Sequence, residues 1–128
     1  MKLLLDTHVW LWALHEPSRL NPRVRSELCD PGNELWLSPI STWESLLLNA
    51  RGRIRLPVNL SEWLAKATAP LREAAFTHEI VLIAQQQPLP HRDPADRFLA
   101  ATAQVMDLTL VTSDERLLGL GTIRTMRN

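Results

Sequence analysis

Five carboxylates stand at or near the starts of helices: Asp6, Glu44 and Asp114 shortly after apolar runs, and Asp93 and Asp96 at the mouth of a further helix. Acids gathered at one place repel one another and rise in pKa unless a cation lies between them. Side chains that offer only oxygen select hard divalent ions, Mg²⁺ or Mn²⁺. A hard ion held by several acids suits hydrolysis of a phosphodiester, because it polarises the phosphoryl oxygen and acidifies a bound water. Zinc is not indicated, since Cys29 is the one cysteine and the four histidines are scattered.

Each acid also has a plainer explanation. Ser41-x-x-Glu44 has the form of a capping box, in which the Glu reaches back to the cap N–H. Asp93-Pro94-Ala95-Asp96 reads as a helix cap, a first-position Pro and an acid favoured by the helix dipole. Asp114-Glu115, after Thr112-Ser113, is again acid in a first turn. Taken singly, capping accounts for all three. It accounts poorly for Asp6, which is followed by Thr7, itself an adequate cap. Taken together, the acids at matching strand ends favour a metal site, with Asp93 falling back to a cap.

The elements that must position these acids alternate in type. KLLL (2–5) and ELWLS (34–38) are apolar runs that suit buried strands. LTLVTS (108–113) is a clear strand, TIRT (122–125) a final edge strand, and AAFT (74–77) a short candidate. Helices are expected from Asp6 or Thr7 to before Pro17, over 22–30, from Ser41 to 53, from near Ser61 to Pro70, over 94–107, and briefly after Asp114. HEIVLIAQQQ reads as a helix, although EIVLIA has acceptable strand propensity. PLPH (88–91) is a loop. Strands separated by helices, with no hairpin turn of the Asn-Gly kind, imply crossovers and a mostly parallel sheet. In such a sheet the ligand crevice lies beyond the carboxyl ends of the strands. Topology alone puts Asp6, Glu44 and Asp114 there; Asp96 requires its helix mouth to fold back to the same edge.

At 128 residues and 45% apolar composition the chain fits one domain, residues 1–128, with its own core. No intrachain disulfide can form and no apolar stretch approaches the ~20 residues of a membrane span, so a cytoplasmic protein is expected. Zero net charge argues against nonspecific coating of nucleic acid. Twelve of the fourteen cations are Arg, the planar fork suited to phosphate, although a GC-rich genome would give the same bias.

LLLDTHVWLWAL, SPISTWESLLL, HRDPADRFLAATA and LVTSDERL, in this order and spacing, resemble a PIN-domain ribonuclease, and more narrowly a VapC-type toxin of a bacterial type II toxin–antitoxin pair. The likeness covers nearly the whole chain. It implies a three-layer α/β/α sandwich around a five-stranded, mostly parallel sheet. It implies a metal site of Asp6, Glu44, Asp96 and Asp114, with Asp93 auxiliary or a cap, and endonucleolytic cleavage of RNA with Mg²⁺ or Mn²⁺. It also implies a cognate antitoxin and a homodimer. Under it, Asp6, Asp96 and Asp114 are ligands, and Glu44 is a ligand or orients the nucleophile.

Arg92 and Arg97 flank the acids of the third motif and are candidates, with Thr112 and Ser113, to hold a substrate phosphate; Thr7, Thr112 and Ser113 are equally placed to bond the acids or to cap locally. His91 reads as structural. Arg51, Arg53 and Arg55 alternate after the Glu44 helix and suit either phosphate or solvent. Trp10, Trp12 and Trp43 fit the core, with one exposed Trp compatible with a partner surface. Two other readings compete with the nuclease: a PIN-like module that binds RNA or protein without cutting, and a receiver-like phospho-acceptor domain. The last needs a Lys after the final strands, and Lys2 and Lys66 are both elsewhere.

Overall fold

An apolar strand buried on both faces belongs in the middle of a covered sheet, and β1 (Lys2–Leu5) is there, with Leu3, Leu4 and Leu5 all buried. The structure, a computed structural model, describes residues 1–89 and 93–128. Around β1 the sheet holds β2 (Glu34–Leu37), β3 (Arg72–Glu73), β4 (Thr109–Thr112) and β5 (Arg124–Arg127). The order is β3-β2-β1-β4-β5 and every pairing is parallel. Leu4 pairs with Leu110 and Leu5 with Val111 across β1 and β4.

Alternation along the strands divides the core in two. Leu3, Leu5 and Val111 face one side, where α1 (Thr7–His15), α2 (Pro22–Cys29) and α4 (Leu60–Thr68) supply Val9, Trp10, Val24 and Trp63. Leu4 and Leu110 face the other, where α6 (Pro94–Met106) and α7 (Glu115–Leu118) supply Leu99, Ala100, Ala103 and Leu117. A further helix, α5 (His78–Gln85), packs Ile80 and Ala84 against Ala101 on the outside of α6. Between the two sides lies α3 (Pro39–Ala50), whose Leu46 and Leu48 reach the first core and whose Ile40 reaches the second. This is the expected three-layer α/β/α sandwich. Each of the fully buried leucines contributes about 1.5–3 kcal/mol by leaving water.

Chain order fixes where a site can form. From β1 the chain winds outward through β2 to β3, then returns to the other side of β1 for β4 and β5. The switch point is therefore the carboxyl edge between β1 and β4, and Asp6 and Asp114 follow those two strands.

Several boundaries differ from expectation. The Glu44 helix starts at Pro39, with Ser38 as its cap accepting from Ile40 N at 3.1 Å, so the Ser41–Glu44 capping box does not form. The third strand is Arg72–Glu73 rather than 74–77, and the last is Arg124–Arg127 rather than 122–125. HEIVLIAQ is a helix, capped by Thr77, whose hydroxyl accepts from Ile80 N. Trp43 is 52% exposed instead of core, while Trp10 is buried. Of the PLPH loop, Pro90 and His91 lie outside the described residues.

Candidate functional site

Asp6 leaves β1 still attached to the sheet, its N–H donating to Val111 O on β4 at 3.0 Å. Its carboxylate caps α1, with Oδ1 accepting from Thr7 N at 2.7 Å, while Oδ2 accepts from the Thr112 hydroxyl at 2.7 Å. Burial pushes its pKa up; the Thr112 bond opposes this and the charge of Asp114 adds to it. The Thr112 hydroxyl, fully buried, also accepts from Asp114 N at 3.0 Å. Thr112 thus ties the acid after β1 to the acid after β4, and both its contacts are spent on the site's frame. Of the expected roles of Thr112, bonding the acids is the one its side chain shows here.

Glu44 is oriented from α1 rather than by its own helix start. The buried Thr7 hydroxyl donates to Glu44 Oε1 and also lies 2.9 Å from the Ser41 hydroxyl. A hydroxyl has one proton, so with Glu44 ionised it is Ser41 that donates to Thr7. The capping alternative for Glu44 is thereby replaced by a contact between the first two motifs. Burial raises the pKa of Glu44, the Thr7 bond lowers it, and the charges of Asp6 and Asp93 raise it.

Because α6 runs back along the sheet before β4, its first turn meets the carboxyl edge. Asp93 caps it, accepting from Ala95 N at 3.0 Å. Asp96, in the same first turn, is only 8% exposed. Burial first, and then the charges of Asp93, Asp6 and Asp114, push its pKa up to about 7, against the pull of Arg116. Asp114 caps α7, accepting from Arg116 N at 2.9 Å.

Asp6, Glu44, Asp93, Asp96 and Asp114 line one groove of about 490 Å³, together with His8, Trp12, Ser113 and Arg116. All the expected acids are brought together. Among the described residues no three of them close into a ready-made ion cage. A cation already lies between two: the Arg116 guanidinium donates to Asp114 Oδ2 at 2.9 Å and reaches Asp96 Oδ2 at 3.5 Å. The all-oxygen donor set, the raised pKa values and this internal guanidinium are each what a site built for positive charge would show.

The remaining candidates divide. Arg97 donates to three backbone carbonyls, Ala84, Gln87 and Leu89, at 3.4, 3.0 and 3.2 Å. It fastens the end of α5 to α6. Ser113 faces the groove, but its hydroxyl donates to Asn128 O at 3.3 Å. Arg92, like His91, lies outside the described residues. Arg116 was missed in the sequence; the signal was its place two residues after a capping Asp, within reach of that carboxylate.

The profile of the PIN domain matches residues 3–121. The chain is 34% identical over 116 residues to Ribonuclease VapC22 of Mycobacterium tuberculosis, covering 90% of this chain and 88% of that protein. Among solved structures it resembles VapBC2 of Rickettsia felis, crystallised with a DNA fragment from its promoter, at a TM-score of 0.75 and 16% identity over 100% of this chain and 99% of the other. A DNA-bound VapBC of Salmonella typhimurium gives a TM-score of 0.70 at 16% identity, over 99% and 98% of the two chains. At these identities the structural likeness is one of fold.

Proposed function

The chain belongs to the PIN-domain family, and we propose that it is a metal-dependent endoribonuclease acting in the cytoplasm as the toxin of a toxin–antitoxin pair. The observation that carries this reading is the convergence of Asp6, Glu44, Asp96 and Asp114 on one groove, with burial and like charge raising the pKa of the first three. The ribonuclease named among its relatives supports the substrate class, and the VapBC complexes of like fold support a cognate antitoxin as partner. A homodimer is part of the same proposal.

Asp6, Asp96 and Asp114 would hold Mg²⁺ or Mn²⁺, directly or through water, with Glu44 completing the set or orienting the attacking water. When bound, the ion supplies positive charge against the phosphoryl oxygen and acidifies a nearby water. The chain's own work is to hold the carboxylates in place beforehand. Thr112 fixes Asp6 relative to Asp114, and Thr7 fixes Glu44 relative to α1. Positions set by buried hydroxyls need no ordering when the ion and substrate arrive.

Arg116 competes for the same charge. Replacing it with Ala is expected to tighten Mn²⁺ binding about two- to fivefold, the scale of one partly exposed ion pair. Calorimetric titration of Arg116→Ala beside wild type measures this, and weaker binding by the variant would assign Arg116 to supporting the ligands instead. The function itself is tested by purifying the chain free of any partner and incubating it with RNA and Mg²⁺. Metal-dependent cleavage that disappears in Asp6→Ala supports the nuclease; RNA binding without cleavage supports the silent module.

A further inference from the structure

Asp114 occupies only one edge of the guanidinium that lies in the acidic groove. Arg116 Nε and Nη2 donate side-on to Asp114 Oδ1 and Oδ2 at 3.2 and 2.9 Å. On the other, end-on edge Nη2 reaches Asp96 Oδ2 at a long 3.5 Å, and among the described residues Nη1 makes no hydrogen bond. We propose that this open edge grips the phosphate to be cut, making Arg116 a substrate contact as well as a counter-charge to the acids. The proposal rests on the nuclease reading of the groove.

The need for such a contact is electrostatic. Five carboxylates line the groove, and a divalent ion offsets only part of their charge. A phosphodiester brings a further negative charge and is repelled unless a fixed cation meets it. Among the described residues Arg116 is the one arginine or lysine on the groove's walls. Its planar fork of N–H donors matches a phosphate with two bonds at once. Stability does not account for its place, because an ion pair whose Arg is 48% exposed contributes little. The 3.5 Å contact with Asp96 is the weakest of its three bonds to acids and the first to yield to a better acceptor.

The guanidinium is also held ready. Arg116 N donates to Asp114 Oδ1 at 2.9 Å, and Asp114 N donates to the buried Thr112 hydroxyl at 3.0 Å. The next residue, Leu117, is fully buried in the core beside Leu4 and Leu110. A fork fastened at its main chain and along one edge has little left to order when a phosphate arrives. In the cleavage step water adds to phosphorus and the bond to the leaving ribose oxygen breaks. The water gives a proton to solvent and the leaving oxygen takes one from it. Negative charge gathers meanwhile on the oxygens around phosphorus, and donors already aimed there favour that state over the resting phosphodiester.

The test compares the full chain with its Arg116→Ala and Arg116→Lys variants in three measurements. These are cleavage of a fluorescein-labelled single-stranded RNA with Mg²⁺, anisotropy of the same RNA in EDTA as salt is raised, and calorimetry with Mn²⁺ alone. Arg116→Ala should lower kcat about a hundredfold, as for loss of one donor to developing charge. Its salt slope should be smaller by about 0.7, the value for one phosphate on a single strand. Arg116→Lys, a point charge without the fork, should keep the slope and recover only part of kcat. Mn²⁺ should bind Arg116→Ala no more weakly than wild type. A fall in rate that comes with weaker Mn²⁺ binding overturns the proposal, because Arg116 then acts only by holding Asp114. Where the wild type cuts, an equal kcat in Arg116→Ala also overturns it and leaves the nuclease standing. A wild type that cuts nothing, while Arg116→Ala still lowers the slope, loses the nuclease and keeps the phosphate contact.

Discussion

Asp96→Asn is expected to abolish RNA cleavage while making the metal-free protein more stable. The first effect follows from the loss of a charged ligand where several kcal/mol of transition-state stabilisation are at stake, about a thousandfold or more in rate. The second follows from the sign of the pKa shift. Asp96 titrates near 7 in the fold, above its ordinary value of 3.8, so folding favours its protonated form. That contribution to stability is fully present below about pH 4 and is lost as pH rises toward 7. Above pH 7 the wild type has a buried carboxylate among like charges, whereas Asn has none. The melting temperature of Asp96→Asn should match wild type near pH 4 and exceed it by several degrees at pH 8, at about 4 °C per kcal/mol for a domain of this size. Calorimetric scans in EDTA measure it. A variant that melts no higher at pH 8 would show that Asp96 is not strained by its neighbours.

Acidification is the second large effect. An ion can be held by Asp96 only after its proton leaves, and burial raises the pKa of Asp6 and Glu44 as well. Cleavage should therefore fall about tenfold per pH unit below 7, reaching roughly a hundredfold at pH 5 for a single required ionisation. Mn²⁺ binding at pH 6 should release close to one proton, read from titrations in buffers of different ionisation enthalpy. Binding and cleavage that stay level from pH 7 to 5 would mean that Asp96 does not have to ionise, and another ligand set would be needed.

The features set by local pattern were legible beforehand. The apolar runs ending at Asp6 and before Asp114 gave two central strands, and their crossovers gave the parallel sheet. With the switch point placed at the carboxyl edge, topology puts Asp6, Glu44 and Asp114 on one groove, whereas Asp96 joins them in the sequence only through the resemblance of its motif. What stayed hidden depends on contacts distant in sequence. Pro39 serves equally as a strand breaker and as a first helical residue, so Ser41 was preferred as cap over Ser38. The bonds of Arg97 to the carbonyls at the end of α5 could not be read from its place beside an acidic motif. β3 is two residues long, too short to have a periodicity. Arg116 sits in a motif already explained by its Asp, and only the fold brings Asp96 within reach of it.

The central claim is that these acids hold a divalent ion with which the chain cuts RNA. It is tested most directly by cleavage of a 5′-labelled RNA by the purified chain as Mg²⁺ is titrated, with EDTA as control. The predicted result is cutting at internal positions that rises with Mg²⁺ and is absent in EDTA. The same fragments at the same rate in EDTA would contradict it.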